Sequence, residues 1–486
     1  MPQLIDTYSM TPQTFFSLPK ARPLTSVRWA LAFPLFFAMY SCDDSTYLPE
    51  KQLTNDLSYH HDLDNNDNFS PDNQWLVYDT RTDDGGIAAS AKIEKVNVNT
   101  GEKKVLYALP QNQEWGPGAG AVSYSPVDHA VVFIHGLMSV TKDNPYQQWR
   151  RTGVIINEIS PNKPVFMDAR DITPPYTKGA LRGGTHRHEW SGDGQWIGYT
   201  YNDAVLKALE DSTGQKHNLR TIGVSKRNML VSLEKDVAGE NVSGTWYSVL
   251  VVRVTPTPTP GSDEISHAAG DSWVGNNGYL KPDGMRQLAR AFIGKVKDKN
   301  GKDVDEVFIV DIPEKIDEAG EFGPLEGTDT TFPMPPKGTV QRRLTFTATT
   351  PQAGCTGIVR SSPDGNMLTF LAKDAQGVQQ VFMISPNGGA PTQLTFHPKN
   401  VEGSIRWHPN GKLVTYVYDG SIVACQIGTE PFEQRLNVLT KPTSPSPSNL
   451  VWSHDGKTLA FNRTLTNSEG YSSKQIFTIN PTISKK

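Results

Sequence analysis

The apolar positions of this chain fall in short runs, and the runs recur behind one kind of turn. Ser70-Pro71-Asp72-Asn73-Gln74 leads into Trp75-Leu76-Val77-Tyr78, and the same order returns at Ser125 (SPVDHAVVFIH), Ser191 (SGDGQWIGYTY), Ser362 (SPDGNMLTF), His408 (HPNGKLVTYVY) and Ser453 (SHDGKTLAF). Ser and Pro suit the opening of a tight turn, Asp-Gly or Asn-Gly supplies a positive φ, and the β-branched and aromatic residues that follow form a strand. A second element closes each unit: Leu344-Thr345-Phe346, Leu394-Thr395-Phe396 and Leu439-Thr440. His408 follows Ser362 by 46 residues and Ser453 follows His408 by 45, a length that holds four strands and their turns. The repeat predicts an all-β propeller of four-stranded blades.

The chain ends support a closed ring. The last unit runs out at KQIFTINPTISKK without its Leu-Thr strand, while Lys51-Gln52-Leu53-Thr54 stands alone before the first turn. That N-terminal strand is expected to complete the last blade and so remove an exposed sheet edge. Between Ser191 and Ser362 the spacing widens, and TWYSVLVVRV (245 to 254) and EVFIVDI (306 to 312) lie within it. One expanded blade at about 245–345 gives seven blades, with eight as the nearest alternative. The propeller domain then covers residues 51–482.

Composition adds the setting. The 41 glycines and 35 prolines suit many short strands joined by turns, and 47 Lys and Arg against 51 Asp and Glu give no field that calls for nucleic acid or an anionic membrane surface. Lys20, Arg22 and Arg28 precede an apolar run from Trp29 to Tyr40, too short to span a bilayer, and Ser41-Cys42 follows. Residues 1–42 therefore resemble a bacterial lipoprotein signal that leaves Cys42 to carry the lipid. Residues 43–50 form a short tether, the expected place is the periplasmic side or surface of the outer membrane, and a lipid anchor is the expected membrane contact. An ordinary secretory signal is the alternative. Cys355 and Cys425 are then either bonded to each other or free and buried.

Candidate chemistry concentrates in RGGTHRHEW, Arg182 to Trp190, just before a blade-opening turn. In an extended segment residues two apart share a side, so His186 and His188 could present both imidazoles to one divalent metal, with hydrogen bonding to loop carbonyls as the other reading. Arg182 could clamp a substrate carboxylate through two parallel hydrogen bonds or tie blades together. The stretch from Thr255 to Leu280 reads as a binding loop or lid in which Trp273 stacks on a sugar while Glu264 and Asn276 take hydroxyls. There is no G-x-S-x-G, P-loop or dinucleotide fingerprint, which sets peptidase, NTPase and redox readings aside.

The repeat resembles the TolB-like propellers. The segments RGGTHRHEWSGDGQWIGYTYND, TPTPTPGSDEI with WVGN, and GTDTTFPMPPKGTVQRRLTFT are similar to an uncharacterised bacterial propeller family, itself similar to the oligogalacturonide lyases. That resemblance implies a divalent ion such as manganese or zinc held from the segment containing His186 and His188, although Gly183 stands where those lyases place a glutamine ligand. It also implies a general base, for which His135 in VVFIHG is the candidate, with a role in core hydrogen bonding as the alternative. The expected function is a metal-assisted lyase or related enzyme on acidic, uronic oligosaccharides. The alternative is a non-catalytic scaffold that binds a glycan or an envelope protein. A monomer is expected.

Overall fold

The computed structural model describes residues 47–64, 67–83, 86–234 and 237–481. Cys42 and the rest of the signal-like segment lie outside the described residues. Seven antiparallel sheets form the blades of a propeller; blades 2 to 6 have four strands in sequential order, and blade 7 takes its outermost strand from the N-terminal side of the described chain. Blade 2 is Ala119–Tyr124, Ala130–Gly136, Arg151–Asn157 and Val165–Phe166. Blade 3 is Gly183–Trp190, Trp196–Asp203, Thr221–Lys226 and Tyr247–Leu250, with a helix at Ala204–Thr213. Blade 4 is Ile265–Trp273, Ala289–Lys297, Asp303–Asp311 and Val340–Arg343, and blade 5 is Cys355–Ser361, Leu368–Lys373, Gln379–Ile384 and Thr392–Gln393. Blade 6 is Val401–Trp407, Leu413–Tyr418, Ser421–Gln426 and Leu436–Val438. Blade 1 has three full strands, Trp75–Asp79, Lys92–Asn97 and Lys103–Ala108, and single bridges from Asp62 and Phe69 in place of an inner strand.

In blades 1, 3, 5 and 7 the turn that follows the innermost segment is built by its own side chains. Ser70 Oγ donates to Asp72 Oδ1 (2.5 Å) and accepts the Trp75 N–H (3.0 Å), while Asp72 Oδ1 also accepts the Gln74 N–H (3.1 Å). The same three bonds recur around Ser191 and Asp193, Ser362 and Asp364, and Ser453 and Asp455. These side chains satisfy amides that the tight reversal would otherwise leave unpaired. The turn glycines, among them Gly194 (φ 66°) and Gly365 (φ 78°), sit in the left-handed region that the reversal requires.

The Leu-Thr elements close the blades by a second recurring device. Leu344, Leu394 and Leu439 are buried, and each donates its N–H to the carbonyl of a third-strand residue at 2.8 Å. The next threonine then accepts the N–H of that same third-strand residue: Val307 to Thr345 (2.8 Å), Val381 to Thr395 (2.9 Å) and Ile422 to Thr440 (2.9 Å). The N-terminal strand repeats this in blade 7. Lys51–Gln52 pairs antiparallel with Thr478 and Phe477, outermost in a sheet completed by Ser448–Trp452, Leu459–Thr466 and Ser472–Ile479. Leu53 N donates to the Ile476 carbonyl (2.8 Å), and Ile476 N donates to Thr54 Oγ1 (2.9 Å). Glu50 adds a two-pronged ion pair with Arg463 (2.5 and 2.6 Å).

Two sequence expectations are corrected. The strand near residue 245 is the outer strand of blade 3, so blade 4 begins only at Ile265 and its excursion is the connection between Asp311 and Val340. The stretch expected to be a loop or lid contains the nine-residue inner strand of blade 4, Ile265–Trp273. Its interrupted pairing with Ala289–Lys297 and its polar residues hide the two-residue period of a strand. Cys355 and Cys425 are both buried and free. Among the described residues no helix is long and apolar enough to cross a membrane.

Thr54→Val keeps the shape of the closing strand and strands the Ile476 N–H. An unpaired buried amide costs about 1–3 kcal/mol, so the urea midpoint of unfolding should fall with the slope unchanged. An unaltered midpoint would show that blade 7 does not depend on the N-terminal strand.

Candidate functional site: the central pocket

The inner strands end at the blade-opening turns on one face of the ring, called here the turn face. There a pocket of about 290 Å³ is lined by residues of all seven blades. The residue just before each turn is Phe69, Tyr124, Trp190, Ser361, Trp407 or Trp452, and Trp273 holds the same place in blade 4. Three of these tryptophans reach the preceding blade through Nε1: Trp273 to the Glu189 carbonyl (2.9 Å), Trp407 to Thr369 Oγ1 (3.0 Å) and Trp452 to Thr415 Oγ1 (3.1 Å). Trp190 differs. The position in blade 2 equivalent to Thr369 and Thr415 is Val132, and Trp190 Nε1 is buried without a partner among the described residues.

One position earlier the strands carry Glu189, Arg360 and Arg406, and their side chains form a charge network across the pocket. Glu189 receives Arg360 Nη1 (3.3 Å) on one oxygen and Arg290 Nη2 (3.1 Å) on the other. Arg290 also binds Asp271 (Nε to Oδ2, 2.8 Å), and Arg187 donates to the Asp271 carbonyl. Arg406 donates to the Leu450 carbonyl (2.7 Å) and to Asp67 Oδ1 (3.1 Å). Burial, reinforced by Arg406 and Arg187, pulls the proton affinity of the Arg360 guanidinium below its ordinary value. Guanidiniums crowded in this way are receptive to an added anion.

The structure separates the residues singled out in the sequence. Trp273 and Asn276 line the central pocket. Glu264 lies at the opposite end of the same inner strand, where its carboxylate accepts from the N–H and hydroxyl of Thr259 (both 2.8 Å) beside a second cavity of about 1150 Å³. Arg182 is fully buried; it holds Asp203 (2.8 Å) and donates to the carbonyls of Thr328 and Thr331, tying blade 3 to the blade 4 excursion. His135 is buried in the second strand of blade 2, with Nε2 against the Tyr107 hydroxyl (2.8 Å) and Nδ1 against the Gly136 carbonyl (2.5 Å). Neither residue lines the central pocket.

His186 and His188 do not form a metal pair. Arg187 between them has φ 50°, and the strand register shifts from His186 to Glu189, which breaks the pleat on which the two-apart argument rests. His186 Nε2 bonds Asn202 Oδ1 (2.9 Å), and His188 Nε2 bonds the Thr185 hydroxyl (2.9 Å). Among the described residues no group of three or more His, Cys, Asp or Glu side chains is placed to hold a metal ion. These residues do not fit the expected metal centre. Burial keeps both rings neutral, with His188 lowered to about 3. The glycines beside them have a separate role. A Cβ on Gly183 would meet the Asn202 carbonyl at 2.0 Å, and one on Gly184 would meet the Gln148 carbonyl at 2.1 Å, so both permit close backbone approach.

The comparisons with known proteins follow from this geometry. A family described as "Protein of unknown function (DUF3748)" matches residues 118–240, which span blade 2 and most of blade 3. The "Uncharacterized protein YidR" of Escherichia coli (strain K12) is 39% identical over 446 residues, covering 89% of this chain and 97% of its own. The chain belongs to the family of YidR. Among solved structures, a Mycobacterium tuberculosis puromycin-hydrolyzing peptidase matches with TM-score 0.48 and 11% identity over 90% of this chain; the chain spans about half (55%) of that peptidase. The polysaccharide lyase Uly1 matches with TM-score 0.44 and 12% identity over 84% of this chain and 88% of its own. A putative TolB from Agrobacterium tumefaciens matches with TM-score 0.35 and 14% identity over 81% and 99%. None of these three likenesses bears on activity.

Two outcomes test this description. Val132→Thr offers Trp190 the acceptor that its counterparts have, while the new hydroxyl can donate to the Ser123 carbonyl as Thr369 does to Arg360. A net hydrogen bond is worth about 0.5–1.5 kcal/mol, so the unfolding midpoint should rise; no rise would mean that Trp190 is already satisfied by water. The buried histidines give a pH dependence. Unfolded histidines take up protons below about 6.5, whereas burial holds His135 at about 4 and His188 at about 3 in the folded chain. Their contribution to stability is complete above the unfolded value and is lost as pH falls toward 4. Asp168, raised by burial to about 7, acts in the opposite sense. The histidine signals themselves are therefore the measure: both rings should stay neutral at pH 5 by NMR, and titration near 6.5 would show that they are solvated.

Proposed function

We propose that this chain is an exported propeller that binds the acidic groups of an oligosaccharide, such as the carboxylates of a uronide, in the central pocket at its turn face. The observation that supports this reading is the convergence of Arg187, Arg360 and Arg406 around Glu189, Asp67 and Asp271, at a pocket lined by every blade. Because Arg290 is directed at Asp271 and Glu189, the cations of this network outnumber its carboxylates and the pocket favours an anion. A guanidinium can meet a carboxylate with two parallel hydrogen bonds. Half-buried Trp407 offers an apolar surface to a sugar ring, and exposed Asn276 can take hydroxyls.

Binding is the reading the residues support, because the arginine network supplies contacts for an anion while His186 and His188 are bonded to Asn202 and Thr185. Export, and a lipid on Cys42, rest on the N-terminal sequence pattern; Cys42→Ser should then release the protein from membranes.

Calorimetric titration with an oligogalacturonide tests the pocket. Arg406→Gln should weaken binding by at least about tenfold, the loss expected for a charge-assisted hydrogen bond, and Trp407→Ala should weaken it further. An acidic envelope protein captured by the wild type while the sugar is ignored would replace the glycan with a protein segment. An unsaturated uronide appearing in the titration, and lost in the His186→Ala, His188→Ala double variant, would restore the lyase reading.

A further inference from the structure

The opposite face of the ring carries a second concentration of cations that the pocket does not use. Arg151 opens the third strand of blade 2, Arg220 immediately precedes the third strand of blade 3, and His186 lies on the inner strand of blade 3. In antiparallel blades whose inner strands end at the turn face, the third strands begin at the other face, so Arg151 and Arg220 lie together at that end of the channel. Hydrogen bonds link the cluster. Arg220 donates through Nε to Asn202 Oδ1 (3.3 Å), the atom that also bonds His186, and through Nη2 to Gln148 Oε1 (3.0 Å). Arg151 Nε donates to the Gln148 carbonyl (3.3 Å), and its Nη1 meets the Tyr146 hydroxyl. The Gly183-Gly184 pair makes this possible, since a Cβ on Gly184 would meet both the Gln148 carbonyl and the Arg151 side chain.

The unusual feature is the missing counterion. Arg151 is only 6% exposed, yet its partners are a neutral carbonyl and a phenol, and neither Arg151 nor Arg220 has an ion pair among the described residues. Buried arginines are ordinarily paired, because an uncompensated guanidinium in a dry site costs several kcal/mol. The carboxylates whose charge reaches them are engaged elsewhere: Asp64, felt by Arg151, is held by Arg81 (3.4 Å), and Asp271, felt by Arg220, by Arg290. His186, neutral in this setting, donates through Nε2 to Asn202 Oδ1 and so supplies no further N–H to the cluster. Two guanidiniums without counterions, side by side at one end of the channel, are the complement of an oxyanion.

The geometry points to a second ligand site at this face, in which Arg151 and Arg220 grip one carboxylate group of a small organic acid or acidic sugar. Asp64 and Asp271 oppose a second negative charge, which favours a monoanionic carboxylate over phosphate. The site rests on this cluster alone and stands apart from the reading of the turn-face pocket.

Calorimetric titration of the mature chain with D-galacturonate, acetate and inorganic phosphate at low salt tests it. Galacturonate should bind, phosphate should bind more weakly, and Arg220→Gln should reduce galacturonate affinity by at least about tenfold. Arg151→Gln should do the same; because Arg151 is buried, its fold is checked by circular dichroism, while half-buried Arg220 keeps the test decisive if that variant does not fold. Equal affinity in wild type and Arg220→Gln, absence of carboxylate binding, or tighter binding of phosphate would overturn the proposal. Affinity lost in Arg406→Gln and retained in Arg220→Gln would place the carboxylate at the turn face and overturn it equally.

Discussion

The architecture depends on one closure, the pairing of Lys51–Gln52 with the final strand and the clasp of Thr54 on the Ile476 amide. A propeller with an unclosed blade presents a row of free backbone groups beside a flat apolar face, an invitation to edge-to-edge aggregation. Here the last blade is made from both ends of the described chain. Local closure of blades 4, 5 and 6 through Thr345, Thr395 and Thr440 becomes, in blade 7, a contact that spans the whole sequence. Closing so long a loop carries the largest entropic cost of any blade closure in the domain.

Once the ring is closed, the position of every inner strand is fixed from both sides, and the tryptophans before the turns lock the spacing. Trp407 reaches blade 5 and Trp452 reaches blade 6 by the same bond to a threonine hydroxyl. That regularity holds Arg360 and Arg406, one residue earlier on their strands, at matching depth in the channel. The charge network is a consequence of repeat phase: a side chain placed in one blade is placed in the others, and charged residues at that phase must meet near the axis.

Much of this was legible in the sequence because the recurring turn and the Leu-Thr pair are local devices. Ser70 with Asp72, or Leu394 with Thr395, carries its structural reason within a few residues. The site was less legible. Arg360 and Arg406 stand two residues before their turns, as Glu189 does, and that shared phase was the available signal. The His-x-His spacing is the more conspicuous pattern, and it fails as geometry because Arg187 adopts a left-handed conformation that no spacing rule anticipates. The blade 4 inner strand was hidden for a related reason: ISHAAGDSW mixes polar residues and a positive-φ glycine into a strand whose pairing is interrupted twice.

The two ends of the channel follow opposite electrostatic logic. At the turn face each arginine has a carboxylate within reach, so part of the cost of burial is offset internally while one cation stays in excess. At the other face Arg151 and Arg220 are left with neutral partners, although a carboxylate on a neighbouring residue would have satisfied them. An arginine that needed only to bridge blades would resemble Arg182, which is fully buried on Asp203 and two carbonyls. Arg182 shows how this fold satisfies a structural guanidinium. Measured against it, Arg151 lacks the acid that burial calls for, and Gly184 leaves room for its side chain beside the inner strand of blade 3.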